Sequence, residues 1–444
     1  MPDVAPAPAV PPAESEVAGI CRDLLRIDSS NYGDGSGPGE RAAAEYVMAS
    51  LTEVGLAPEY VESAPGRANV VVRLPGADDA RPALVLHGHT DVVPADAAEW
   101  SVDPFGGEEI DGMLWGRGAV DMKDMDAMIL AVVRQRAREG RRPARPVVLA
   151  FFADEEAGGV FGARWAVEHR PELFEGVTEA ISEVGGFSVA LGGTRAYLVQ
   201  TAEKGLGWLR LVATGRPGHG SVAHPASAVV RLAEAVARIG AHAWPMHLGP
   251  TVTRLLDGVA DLTGIPWSPE DPDSVHRLVD ALGGARRFVG ATLRDTANPT
   301  QLAAGYKANV VPGRAEAVID TRFLPGREAA VRATLADLAG PHVAIEEIHA
   351  DVALETGFEG HLVDAMVAAL HEADPGAVVL PYMLSGGTDN KSLSRLGITG
   401  YGFAPLRLPP ELDFTAMFHG VDERVPVDSL RFGTRVLVRL LATC

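Results

Sequence analysis

The 444-residue sequence predicts an α/β protein, a mostly parallel sheet with helices on both faces, interrupted by a smaller α+β domain. Three observations predict it. Helical and strand patterns alternate through roughly the first 200 residues. Around Thr201 the strands change character, alternating apolar with polar side chains as half-solvated antiparallel strands do. From about Gly357 the earlier alternation returns. The division that follows is a disordered tail over 1–13, one domain in two pieces (14–202 and 356–444), and a second domain over 203–355 carrying an irregular insertion at about 243–295.

Each element has a local reason. Pro2 to Pro12 is rich in proline and alanine and lacks the basic and apolar regions of a signal peptide, so it reads as a flexible tail. Ala42 to Leu51 has helical periodicity and stops at Gly55, a C′ glycine. Asn69 to Leu74, Ala83 to Leu86 and Pro146 to Phe152 are short apolar runs suited to buried strands. Met122 to Arg138 is helical and ends near Gly140. Gly207 to Thr214 and Arg314 to Arg322 are the alternating strands, with helix Ala226 to Ile239 between them and helix Arg327 to Leu338 after. The stretch Ala243 to Asp295 contains prolines and tryptophans and reads as helices and loops that lengthen the second domain. Helix His361 to His371, strand Ala377 to Leu380 and helix Asp428 to Leu441 close the chain.

Composition narrows the function. Hydrophobic residues make up 47%, enough for a sizeable core, and the net charge of −20 argues against nucleic acid and anionic membranes as partners. No run of about 18 apolar residues occurs. Two cysteines near opposite ends form no disulfide framework and no thiolate metal site, which fits a reducing cytoplasm.

Acidic and imidazole side chains recur where apolar runs end. His89 and Asp91 follow the run Ala83 to Leu86; two apart in an extended segment they point the same way, so Asp91 is placed to bond the far nitrogen of His89 and set its tautomer. His87 competes as a ligand on the same spacing. Asp154, Glu155 and Glu156 stand at the mouth of another apolar run, where three acids repel unless a cation neutralises them. Asp121 precedes a helix, where an N-cap is the plain alternative. Glu183 precedes a Gly-Gly turn, and His419 lies in an irregular stretch. Imidazole mixed with carboxylate and no cysteine suits catalytic zinc or a similar divalent ion. Gly33 to Gly39 follows no strand and lacks a Gly-Lys-Ser/Thr, and no Gly-x-Ser-x-Gly elbow is present, so neither phosphate binding nor serine hydrolysis is indicated.

The motifs Leu86-His-Gly-His-Thr-Asp-Val-Val-Pro94, Trp115-Gly-Arg-Gly-Ala-Val-Asp-Met-Lys123, Asp154-Glu-Glu-Ala-Gly158, Ser182-Glu-Val-Gly-Gly186, Gly215-Arg-Pro-Gly-His-Gly-Ser221, Asn309-Val-Val-Pro312, Asp320-Thr-Arg322, Ser385-Gly-Gly-Thr-Asp389 and His419-Gly-Val-Asp-Glu423 span nearly the whole chain. In that order they resemble the metallopeptidase family of aminoacylases, glutamate carboxypeptidase, carboxypeptidase S, carnosinase and the deacylases of arginine and lysine biosynthesis. The resemblance implies a catalytic α/β domain and an inserted lid that dimerises. It implies two divalent ions per subunit, zinc or alternatively cobalt or manganese, with His89 and Glu183 on one, Glu156 and His419 on the other, and Asp121 bridging. It further implies Glu155 as general acid/base, His219 reaching the partner's active site in a homodimer, and Asn309 and Arg322 binding a substrate carboxylate, for which the planar guanidinium is well shaped. The alternative for Arg322 is a salt bridge within its own domain. The Gly386 turn lets backbone approach a ligand, with a plain surface turn as the competing reading. The implied reaction is hydrolysis of small N-acyl amino acids or dipeptides with a free carboxylate; a biosynthetic deacylase such as a desuccinylase and a non-catalytic peptide- or metal-binding member of the fold are the alternatives, and Glu155 beside Glu156 speaks against the last.

Overall fold

The computed structural model describes residues 10–444. Most of the tail expected over 1–13 lies outside the described residues, and the first helix begins at Ala13.

Ten strands form the large sheet, and at its centre Val147–Phe152, Ala83–His89, Val177–Ser182 and Thr399–Gly402 run parallel as neighbours. Glu59–Ala64 and Arg67–Leu74 add antiparallel strands at one side, and Thr194–Glu203 carries the parallel strand Val378–Leu384 at the other. The central strands are buried on both faces, which is why they read as unbroken apolar runs. Val147, Leu149 and Phe151 face one core with Leu84 and Leu86, while Val148, Ala150 and Phe152 face a second with Ala83 and Val85. Helices Ala13–Leu25, Lys123–Arg138 and Val427–Thr443 cover the first face; Ala163–His169 and Asn390–Ser394 contribute to the second.

The chain leaves this body after Glu203. Strands Thr296–Ala304, Arg314–Phe323, Gly205–Thr214 and Val343–Asp351 form an antiparallel sheet in that order. One face is apolar: Leu209, Leu211, Ala213, Ala317 and Ile319 pack under helices Ala228–Ala241 and Glu328–Ala339. The alternate residues, among them Trp208, Asp320 and Arg322, take the opposite face. The crossover is tight, since a Cβ on Gly205 would stand 2.0 Å from the Phe323 ring.

One expectation is corrected. The stretch 243–295 does not extend the second body. Its helices Pro250–Thr263, Pro272–Ala281 and Arg286–Gly290 bury Val252, Leu255, Leu256, Val259, Val275, Leu278 and Val289 in the core of the large sheet. Their apolar stripes specify a buried face but not the surface that receives it. Cys21 and Cys444 are free and buried, and no described helix is long and apolar enough to cross a membrane.

Candidate metal centre

Three neighbouring parallel strands end side by side, at the carboxyl edge where such sheets place ligands. Ala83–His89 ends on His89, Val147–Phe152 stops just before Asp154 to Glu156, and Val177–Ser182 just before Glu183. Strands about 4.8 Å apart bring these side chains into one space. Glu183 is turned inward by Val184 at φ +48° and by Gly185, whose missing Cβ would lie 1.9 Å from the Gly402 carbonyl oxygen.

Asp121 and His419 arrive from loops. One Asp121 oxygen lies 3.2 Å from His89 Nε2 and the other 3.3 Å from His419 Nε2. His89 Nε2 is also 3.6 Å from Glu183, and His419 Nε2 is 3.1 Å from Glu156. The ligand atoms of His89, Asp121 and Glu156 lie within 4.8 Å of one another, as do those of His89, Glu155 and Glu183.

The electrostatics describe a site short of positive charge. Burial and the neighbouring Glu183 push the Glu155 carboxyl well above its ordinary range, and burial does the same at Glu183. Asp389 is raised to about 8, chiefly by burial. Burial would lower His89, but Glu183, Asp121 and Asp91 outweigh it and raise it well above the usual imidazole value. Hydrogen bonds to Asp121 and Glu156 lift His419 to about 10. Glu156 Oε1 is buried without a partner. Carboxylates and imidazoles converging this closely, with an orphaned oxygen among them, fit divalent cations.

Two anchors hold the arrangement, and sequence reasoning gave no role to Arg117, Glu423 or Asn31 in them. Glu423 is buried and accepts from Arg117 Nη1 (2.7 Å), Gly118 N (3.0 Å) and Val120 N (2.7 Å), while Arg117 also donates to the Gly420 carbonyl. It therefore ties the loop of His419 to that of Asp121. On the other side, Asp91 accepts from the backbone N–H of Glu155 and of Glu156, each at 3.1 Å, and from Asn31 at 2.9 Å.

Some expectations are altered by this geometry. His89 Nδ1 meets the Asp91 backbone oxygen at 3.0 Å, nearer than the Asp91 carboxylate at 3.5 Å, because that carboxylate is engaged by the acidic turn. Asp154 does not crowd its two neighbours: at φ +66° it turns to Asn31, the Phe161 N–H and Arg67. His87 sits two residues deeper in its strand, where Asn390 bonds its Nε2 at 2.9 Å, and it is absent from both ligand trios. Asn390 and Asn31 lie in segments with no sequence signal for such a role.

The centre opens into a cleft of about 350 Å³ between the two bodies. Arg322 and Gly386 line it, with Trp208, His349 and Asp351 from the small sheet. The Arg322 guanidinium is paired with Asp320 at 2.7 and 3.1 Å, the salt bridge that was its alternative reading. His219 and Asn309 are elsewhere: His219 is exposed on the short pairing of Gly218–His219 with Val310–Val311, Asn309 is exposed just before that second strand, and neither lines the cleft.

A split α/β body with a carboxylate–imidazole cluster at its strand ends is the architecture of a metallohydrolase. The profile of peptidase family M20/M25/M40 matches residues 85–443, and the chain belongs to that family. Human aminoacylase-1 is 26% identical over 91% of this chain and 90% of its own length. In fold the chain is similar to an M20-family metallo-carboxypeptidase from Sulfolobus solfataricus (TM-score 0.71, 17% identity, 96% of this chain and 99% of that one) and to a dinuclear metal-binding peptidase from Bacillus subtilis (TM-score 0.59, 13% identity, 97% and 98%).

The Glu423 anchor generates a prediction. Glu423→Ala leaves Arg117 and two N–H groups unpaired in the interior, and should cost about 3–5 kcal/mol of stability. Urea unfolding of wild type and variant checks it; a loss below about 1 kcal/mol would remove Glu423 as the link between the two loops.

Proposed function

We propose that the protein is a dinuclear metal-dependent amidohydrolase that cleaves small N-acyl amino acids or dipeptides bearing a free carboxylate. The observation that carries this reading is the position of Asp121, one oxygen toward His89 and the other toward His419. In this reading His89 and Glu183 hold one ion, Glu156 and His419 the other, and Asp121 both, with zinc as the metal and cobalt or manganese as alternatives. When bound, such a pair lowers the pKa of water and polarises an amide carbonyl. Glu155 takes the proton of the attacking water and delivers it to the leaving nitrogen. Asp91 acts through others, holding the backbone of Glu155 and Glu156. Arg322 anchors the substrate carboxylate by exchanging Asp320 for it, beside the turn at Gly386.

His219 and Asn309 stand apart from their own cleft, which supports their completing the site of a second copy. The exposed edge strand Thr296–Ala304, with Leu302 and the neighbouring Tyr306 in solvent, is the surface we assign to that homodimer.

Three outcomes are expected. Asp121→Ala loses both metals, while Glu155→Gln keeps them and slows turnover by roughly two to four orders of magnitude; elemental analysis with rates on N-acyl amino acids and dipeptides decides, and full occupancy in Asp121→Ala would end the bridging assignment. Arg322→Ala raises KM for free-acid substrates, by about 1.5–3 kcal/mol of lost binding. Equal cleavage of free-acid and amidated substrates by wild type would sink the carboxylate anchor. Mixed dimers of His219→Ala and Glu155→Gln recover activity at the one site in two that is whole. No recovery, with heterodimers confirmed by native mass spectrometry, would return His219 to its own chain.

A further inference from the structure

The stretch 243–295 reaches the cleft through one side chain. Phe288, on helix Arg286–Gly290, meets Phe418 edge-to-face with ring centroids 5.3 Å apart and planes at 73°. Both rings line the same cleft as Asp121 and Glu155, and Phe418 directly precedes His419. Both are half-buried, so each keeps ring surface open. Behind them the core is already closed by Phe414, buried and set against Phe418 at 5.2 Å.

Phe288 is held in place. Thr415 Oγ1 donates to the Gly284 carbonyl at 2.7 Å, and Arg287 donates to Asp413 at 3.1 Å. These links join the segment before Phe288 to the turn before Phe418, so the two rings keep a defined separation. The small sheet presents a mixed surface to the cleft, Arg322 paired with Asp320 together with Trp208, His349 and Asp351. One cleft thus offers the Phe288–Phe418 pair from the large body and, from the small one, a guanidinium beside Trp208 and His349.

Resting on the amidohydrolase reading, we propose that Phe288 and Phe418 form the wall that receives the acyl half of the substrate, and that Phe288 makes the enzyme selective for acyl chains longer than acetyl. The chemistry follows from the substrate's own polarity. In an N-acyl amino acid the carboxylate belongs to the leaving-amine half, so the half left for the aromatic wall is the acyl group. Aromatic rings hold alkyl chains by area burial, and each methylene excluded from water adds to the preference.

The test compares N-octanoyl with N-acetyl forms of one amino acid in wild type, Phe288→Ala and Phe288→Leu. The octanoyl-to-acetyl ratio of kcat/KM should fall at least about tenfold in Phe288→Ala, with an intermediate fall in Phe288→Leu, in line with what a hydrophobic pocket discriminates. The leucine variant carries the comparison if the alanine variant does not fold. A second measurement needs no turnover: calorimetric binding of N-octyl and N-ethyl amino acids, which lack the scissile carbonyl, to the metal-free protein. Wild type should prefer the octyl compound by a similar factor, and Phe288→Ala should erase the preference. An unchanged ratio, or equal losses on both chain lengths, overturns the proposal and leaves Phe288 as a support of the His419 loop. Failure of the functional reading looks different: wild type would bind the octyl compound selectively yet hydrolyse neither substrate.

Discussion

Asp121 presents its two oxygens to two imidazoles, and the surrounding architecture serves to keep a buried carboxylate there. Four acids and His89 converge largely out of solvent, with the exposed His419 at their edge, an arrangement that costs heavily unless partners or cations offset it. The fold answers with position. Three strands that end at the site are neighbours in one sheet, so three of the approaches are rigid. The two loop-borne approaches are fastened to each other by Glu423, which accepts N–H groups flanking Asp121 and the guanidinium that also holds the His419 turn.

Asp91 performs the matching task on the opposite side. Its carboxylate accepts the amides of Glu155 and Glu156, so the direction of both side chains is set through their backbone. Asn31 spans from Asp91 to Asp154, and Arg67 lies between Asp154 and Glu40, with which it is paired. Anionic groups that would repel in isolation are thereby distributed among donors.

The second body contributes one sheet with two chemically distinct faces. Burial of Leu209, Leu211 and Ile319 under its helices obliges the alternate residues to face away from that core, and Arg322 comes with them to the cleft. Lys204 links this crossover to the stretch 243–295, donating to the carbonyls of Ala291 and Arg294. The helices over 250–290 pack into the large body's core and bring Phe288 beside Phe418 at the cleft.

The sequence by itself determined the α/β class, the interruption by an antiparallel sheet, and the residues that gather at strand ends, because local periodicity reports which face a side chain takes and an apolar run reports burial on both. It could not report which segment arrives at a given face. His87 and His89 have the same spacing and the same orientation, yet one is met by Asn390 and the other by Asp121, and only the depth of each in the strand separates them. The amphipathic helices over 250–290 announced a buried stripe without naming the body that buries it. Arg322 suited a carboxylate, and the nearest one proved to be Asp320, two residues away on the same strand. Asn31 gave no signal, and Glu423, though it closes the His419 motif, gave none of its anchoring role, because that role is a matter of which groups come within reach when segments distant in the chain pack together.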